Sequence, residues 1–325
     1  MDRKLSEIKM LIDPEMKTFQ EYFKKSMKTD IPLLTLIVQF LLKRKGKQIR
    51  PMFVFLSAKM FHDVNHSTYV AANLIELLHT ATLIHDDVVD DSYQRRGFFS
   101  IKALWKSKIS VLMGDFLLAK GLLLAVKNKE YELLDIVSEA VKEMSEGEIL
   151  QIQKNRKSHL TREEYFDIIR KKTATLFSAC TKCGAKSVEA DEATLQKMSD
   201  FGENAGIAFQ IKDDLFDYDL NGKIGKPTGN DLKDSKTTLP LILALENAGN
   251  TERKKVKKIV NNKKLRSSQI QYVNRFVKEN KGLELAHEEM IKYKTKAESY
   301  LSGLPENNIK AGLTGLLDYI IYRKK

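Results

Sequence analysis

Three observations on this 325-residue sequence predict an all-α fold. Apolar residues recur at helical spacing along most of the chain. Glycine (16) and proline (6) are scarce, so few points interrupt a helix. β-branched alternation between turn signals is almost absent. Together they predict roughly a dozen helices, many apolar enough to be buried. No linker-like stretch or composition shift divides the chain, so 1–325 reads as a single domain.

The elements follow in order. Ile8, Leu11, Ile12 and Met16 open the pattern, and Leu34, Ile37, Val38 and Leu41 carry it to the basic segment Lys43–Arg50 and Pro51. Met52–Asp91 is a long apolar helical region with a turn expected near His62–Ser67. Ser92–Phe98 breaks it, with Gly97 marking the loop. Ile101–Lys127 and Leu133–Lys154 are apolar and of helix length. Thr161 followed by Glu164 is a capping-box signature for the next helix, and Thr173–Ala185 also reads as helix. Phe201–Asp219 is another, ended by the loop Asn221–Gly229. Leu239–Ala248 and several amphipathic basic helices complete the chain.

The net charge of +12 is concentrated in residues 253–266. That stretch lacks interleaved aromatics and any nucleic-acid motif, so nucleic acid is not expected as a partner. A solvated surface is the plain reading, and weak attachment to an anionic membrane surface is the alternative. The first residues lack an apolar core and carry acids, unlike a signal peptide. Ile31–Leu42 and Val111–Val126 are too short or carry polar breaks (Gln39, Asp115, Lys120) to be read as bilayer spans. A cytoplasmic protein is expected. Both cysteines fall in Cys180–Cys183, a CxxC with neither a preceding thioredoxin-like strand nor a second ligand pair, so two buried thiols are expected.

Two acid clusters carry the chemistry. Asp86-Asp87-Val88-Val89-Asp90 and Asp213-Asp214-Leu215-Phe216-Asp217 share the spacing DDxxD, and each sits among apolar residues. On a helix, residues four apart stack, which puts Asp86 over Asp90 and Asp213 over Asp217. Carboxylates stacked beside an apolar wall repel, so a cation must offset them. A ligand set of carboxylates without Cys or His points to a hard ion, Mg2+, bridging to a phosphate-bearing substrate. A diphosphate with Mg2+ also needs converging cations. Gly46–Pro51, Arg95-Arg96-Gly97 beyond the first acid motif, and Lys226 and Lys236 beyond the second fit that need.

These motifs resemble those of the trans-prenyltransferases, the head-to-tail polyprenyl diphosphate synthases, particularly the long-chain octaprenyl and heptaprenyl types. The likeness runs in order from Gly46 to Pro240: GKQIRP, LLHTATLIHDDVVDDSYQRRG, Lys172-Thr173, GIAFQIKDDLFDY and GKPTGNDLKDSKTTLP. The family often has Arg where Gln48 stands. The resemblance implies an isoprenoid-synthase fold, a homodimer, and two acid helices facing a central apolar cavity. It implies Asp86, Asp90 and Asp213 as principal ligands of two or three Mg2+ ions, with Asp87, Asp214 and Asp217 as secondary or water-mediated ones. Arg95, Lys172, Lys226 and Lys236 would hold the allylic diphosphate (farnesyl or geranylgeranyl). Lys47, Arg50, His79 and Arg96 would cradle isopentenyl diphosphate, and Thr173 and Gln210 would turn dipoles toward the developing cation. His79 lies a net rotation of only about 20° from Asp86, so it faces the same way.

Diphosphate departure would leave an allylic cation, attacked by the double bond of isopentenyl diphosphate before a proton is lost. Dry walls are needed because water quenches the cation. In this family a bulky aromatic four or five positions before the first Asp shortens the product. Here Thr82 and Ala81 are small and lie about 6–8 Å below the metal site. Leu78 and Ile75 share the open face, with Leu74 further round, so a product of about six to ten isoprene units, a quinone side-chain precursor, is expected. A geranylgeranyl or farnesyl diphosphate synthase is the nearer alternative. A class I terpene cyclase would replace the second DDxxD with an Asn/Ser/Glu triad. A di-iron bundle would use Glu76–His79 and Glu284–His287 as ExxH motifs, leaving every Asp of the acid motifs unexplained. A non-catalytic subunit would have lost one acid motif, whereas both are whole.

Overall fold

Helices form where the periodicity places them, and their ends are set by capping chemistry. A computed structural model describes residues 2–43, 46–95, 98–155, 160–218, 232, 236–262 and 265–323. In chain order the helices are α1 (Asp2–Met10), α2 (Asp13–Ser26), α3 (Pro32–Lys43), α4 (Ile49–Lys59), α5 (His66–Val89), α6 (Ile101–Lys127), α7 (Tyr131–Asn155) and α8 (Arg162–Ile169). A π-helical turn (Arg170–Ala174) leads into α9 (Thr175–Lys186), then α10 (Glu192–Asp217), α11 (Leu239–Asn247), α12 (Asn250–Val260), α13 (Ser267–Glu279), α14 (Gly282–Leu301) and α15 (Asn308–Tyr322). A two-residue antiparallel ribbon, β1 (Gln94–Arg95) with β2 (Phe98–Phe99), pairs Gln94 with Phe99 and Arg95 with Phe98.

The expected turn near His62–Ser67 lies between α4 and α5, where Asn65 caps α5. Its Oδ1 accepts from Thr68 N at 3.1 Å, and Thr68 Oγ1 accepts from Asn65 N at 3.4 Å. The capping box at Thr161 is also present, with Glu164 N donating to Thr161 Oγ1 at 3.2 Å and Thr161 N to Glu164 Oε2 at 2.9 Å. Two boundaries differ from expectation. α10 starts at Glu192, because Asp191 Oδ1 accepts from Thr194 N at 2.7 Å and caps it. The helix expected over Thr173–Ala185 begins in the π turn, so Lys172 and Thr173 leave the α register.

The chain divides into two compact units. The first comprises Met1–Val141, Ala179–Ser199 and Leu304–Leu316. Its centre is α5, buried along most of Thr68–Ala81, which packs on α2, α4 and α6. α6 approaches it through two glycines: a Cβ at Gly114 would lie 2.1 Å from His85 Nε2, and one at Gly121 would lie 3.3 Å from Leu74 Cδ1. By length and composition α6 could cross a membrane, although α5 covers one face of it and Asp115 and Lys120 interrupt it. The second unit comprises Lys142–Ser178, Asp200–Gly303 and Leu317–Lys325. Here α11, α13 and α14 pack around Leu241, Val273, Phe276 and Val277.

Candidate active site

In the first unit the acid motif ends α5. Asp90 is the C-cap and Asp91 takes a left-handed conformation (φ 51°). Asp91 N donates to Val88 O at 3.3 Å and Ser92 N to Asp87 O at 2.9 Å, the two bonds of a Schellman motif closed without glycine. Asp86 is half-buried, Asp87 buried and Asp90 exposed. Carboxylates here lie where unpaired helix carbonyls already concentrate negative potential, at a cost of about 0.3–1 kcal/mol each. Lys102, itself buried, forms an ion pair with Asp91. Ser100 fastens the turn, donating to Ser92 O at 2.7 Å while accepting from Ala103 N at 3.1 Å. Arg95 lies on the ribbon just beyond; Arg96 falls outside the described residues.

Along α5, His79 is buried, as are Leu74, Ile75, Leu78 and Ala81. Thr82 is half-buried and satisfies its hydroxyl by donating to His79 O at 2.9 Å. Leu74 and Leu78 lie against Gly121 of α6. Arg50 stands in the first turn of α4 and Lys47 just before it. A helix N-terminus with two such cations is an anion-attracting end. The Arg50 guanidinium partly opposes the burial that raises the Cys180 thiol to about 12. Cys180 and Cys183 are free and buried, the arrangement expected of the CxxC.

In the second unit the second acid motif likewise ends its helix, with no basic residue in the last turn of α10. Asp213 forms an ion pair with Arg323, whose guanidinium lies 4.0 Å from the Phe209 ring centroid. Asp217 is buried. Asp214, the middle carboxylate of the motif, is held by side chains of the protein. It is 4% exposed, and its two oxygens accept from Tyr165 Oη at 2.6 Å and Gln210 Nε2 at 3.0 Å, so it anchors side chains within the protein. Thr173 Oγ1 in turn donates to Gln210 Oε1 at 2.9 Å. Lys172 donates to Gln151 Oε1 at 2.7 Å and forms an ion pair with Glu148. Lys236 is half-buried, and Lys226 falls outside the described residues.

The donor chemistry fits Mg2+. The candidate ligands are hard carboxylate oxygens at the negative ends of two helices. Among the described residues no three His, Cys, Asp or Glu side chains converge as a closed chelate. Tyr165, Arg323 and Lys102 have no motif signal in the sequence; only the folded chain brings them to the acid motifs.

The sequence profile of the polyprenyl synthetase family matches residues 31–279. The octaprenyl diphosphate synthase of Haemophilus influenzae is 30% identical over 313 residues, spanning 96% of this chain and 95% of that protein. Among solved structures, a polyprenyl synthase from Caulobacter crescentus, complexed with calcium and isoprenyl diphosphate, has a TM-score of 0.92 at 30% identity. The match covers 99% of this chain and 98% of that one. A geranylgeranyl pyrophosphate synthase from Bacteroides thetaiotaomicron has a TM-score of 0.85 at 37% identity, covering 99% of this chain and all of that one. With its all-α fold and both acid motifs, this chain belongs to the polyprenyl synthetase family and is a prenyltransferase that makes polyprenyl diphosphates.

Proposed function

We propose that the protein is a Mg2+-dependent all-trans polyprenyl diphosphate synthase that extends an allylic diphosphate with isopentenyl diphosphate to a long chain. The observation that carries this reading is the pair of DDxxD motifs, each ending a long helix where carboxylates need a cation. The calcium and isoprenyl diphosphate in the Caulobacter structure support a divalent ion and a diphosphate ligand. Bound Mg2+ supplies charge neutralisation to the departing diphosphate. Asp86, Asp90 and Asp213 would hold it, with Asp87, Asp214 and Asp217 behind them as secondary or water-mediated ligands. Lys172, Arg95, Lys226 and Lys236 hold the allylic diphosphate, and Lys47, Arg50, Arg96 and His79 hold isopentenyl diphosphate. The allylic C–O bond breaks, the double bond of isopentenyl diphosphate attacks the cation, and the released diphosphate takes the proton. The apolar residues flanking both motifs keep water from the cation.

The small side chains Ala81 and Thr82 support a product of about six to ten isoprene units, since no aromatic closes α5 about 6–8 Å below Asp86. A shorter, geranylgeranyl-type product is the second reading, favoured by the higher identity to the Bacteroides enzyme. We infer one synthase domain over 1–325, because relatives match almost end to end. A homodimer is supported by the apolar face of α6, where Leu104, Val111, Leu112, Leu122, Leu123 and Val126 are exposed. Two buried free thiols support a reducing, cytoplasmic setting. The basic α12 supports loose attachment to an anionic bilayer. The deciding experiment is incubation with farnesyl and isopentenyl diphosphates with and without Mg2+, followed by chromatography of the dephosphorylated products. Metal-independent turnover would refute the metal role, and a product stopping at four units would select the second reading.

A further inference from the structure

Behind Thr173 lies a chain of hydrogen bonds, buried at its far end, where its direction is fixed. Tyr165, 3% exposed on α8, donates to Asp214 Oδ2 at 2.6 Å. Asp214 Oδ1 accepts from Gln210 Nε2 at 3.0 Å, and Gln210 Oε1 accepts from Thr173 Oγ1 at 2.9 Å. The polarity follows from donor inventories. A carboxylate only accepts, so the amide of Gln210 must turn its NH2 toward Asp214 and its oxygen toward Thr173. Thr173 must then spend its proton on Gln210, which leaves its oxygen lone pairs directed elsewhere.

The backbone of Thr173 is fixed independently. It lies in the π turn, and glycines of two neighbouring helices press on that turn. A Cβ at Gly147 would lie 2.8 Å from Lys172 N, and one at Gly206 would lie 2.6 Å from Ala174 Cα. With the main chain held, the remaining freedom is rotation about χ1 and of the hydroxyl itself, and the bond to Gln210 restricts both.

We infer that Tyr165 is a positioning residue for prenyl transfer: through Asp214 and Gln210 it orients the Thr173 hydroxyl so that oxygen lone pairs face the allylic cation. The inference rests on the role that the family resemblance implies for Thr173. Without the phenol, Asp214 loses a donor and can turn, the Gln210 amide loosens, and the Thr173 oxygen no longer has a fixed aim. Oriented dipoles act on a transition state only when they are held before charge develops.

The test is a double-mutant cycle on the full-length protein, with kcat, KM for both diphosphates and melting temperature measured throughout. Tyr165→Phe is expected to lower kcat about 10-fold with both KM values within about 2-fold of wild type. Thr173→Val is expected to lower kcat further, and Thr173→Ser to restore most of it. In the Thr173→Val background, Tyr165→Phe is expected to cost no additional turnover, because Tyr165 acts through Thr173. An equal loss from Tyr165→Phe in both backgrounds, or a change confined to KM or melting temperature, overturns the inference. Wild-type turnover by Thr173→Val overturns the role given to Thr173 itself. If Tyr165→Phe does not yield folded protein, Gln210→Leu in the same two backgrounds tests the same relay, with the same non-additivity expected.

Discussion

Gly206→Ala puts the π turn under direct test. The added methyl would meet Ala174 Cα at 2.6 Å and Ala174 Cβ at 3.0 Å. Ordinary carbon contacts are about 3.5–4.0 Å, so the turn must retreat by about 1 Å. The obstacle is main chain, not the end of a flexible side chain, so no rotamer change relieves it. Overpacking of this kind costs about 1–3 kcal/mol, while alanine returns about 1 kcal/mol of helix propensity in α10. Net stability should therefore fall by about 0–2 kcal/mol, leaving the protein folded. Turnover should suffer more, because displacing a positioned group by about 1 Å can cost about 100-fold. Steady-state kinetics on material shown to be helical by circular dichroism gives the answer. Wild-type kcat would refute the reasoning, since the turn would then tolerate the displacement or not bear on the reaction.

Other expectations follow from the same geometry. Ala81→Phe or Thr82→Phe should shorten the product, read by chromatography after dephosphorylation; an unchanged product would remove the depth argument. Asp86→Asn and Asp213→Asn should each lower kcat about 100-fold or more, with the loss persisting across a Mg2+ titration. Burial raises Cys180 from 9.0 to about 12 and pushes Cys183 up as well. The folded state therefore keeps protons that the unfolded chain releases above 9.0. Stability should be intact below that pH and fall by about 1.4 kcal/mol per thiol per pH unit above it, read by denaturant midpoints. Midpoints that do not fall from pH 9 to 10.5 would contradict the burial of these thiols.

Local sequence rules reach far in this chain because its helices are long and strongly periodic. The turn near His62–Ser67, the cap at Thr161 and the loop after Asp91 could be read from residues within a few positions of one another. The same locality put Asp86, Asp90 and Asp213 on view, since stacking four residues apart needs only a helix. The start of α10 was missed because Asp191 caps a polar first turn that carries little apolar signal. The π turn left no mark either, because one extra residue in a helical turn alters no composition.

The partners of the acid motifs belong to a different kind of information. Sequence alone determined the fold class, the two carboxylate pairs and the basic segments around them, because these depend on residue type and short spacing. Which group meets Asp214, which cation neutralises Asp213, and what presses on the π turn were decided by packing. Tyr165, Arg323, Gly147 and Gly206 are remote from those positions in the chain, and no short-range rule links them. A buried carboxylate is satisfied by whichever donors the packed helices bring to it, and only the three-dimensional arrangement selects them.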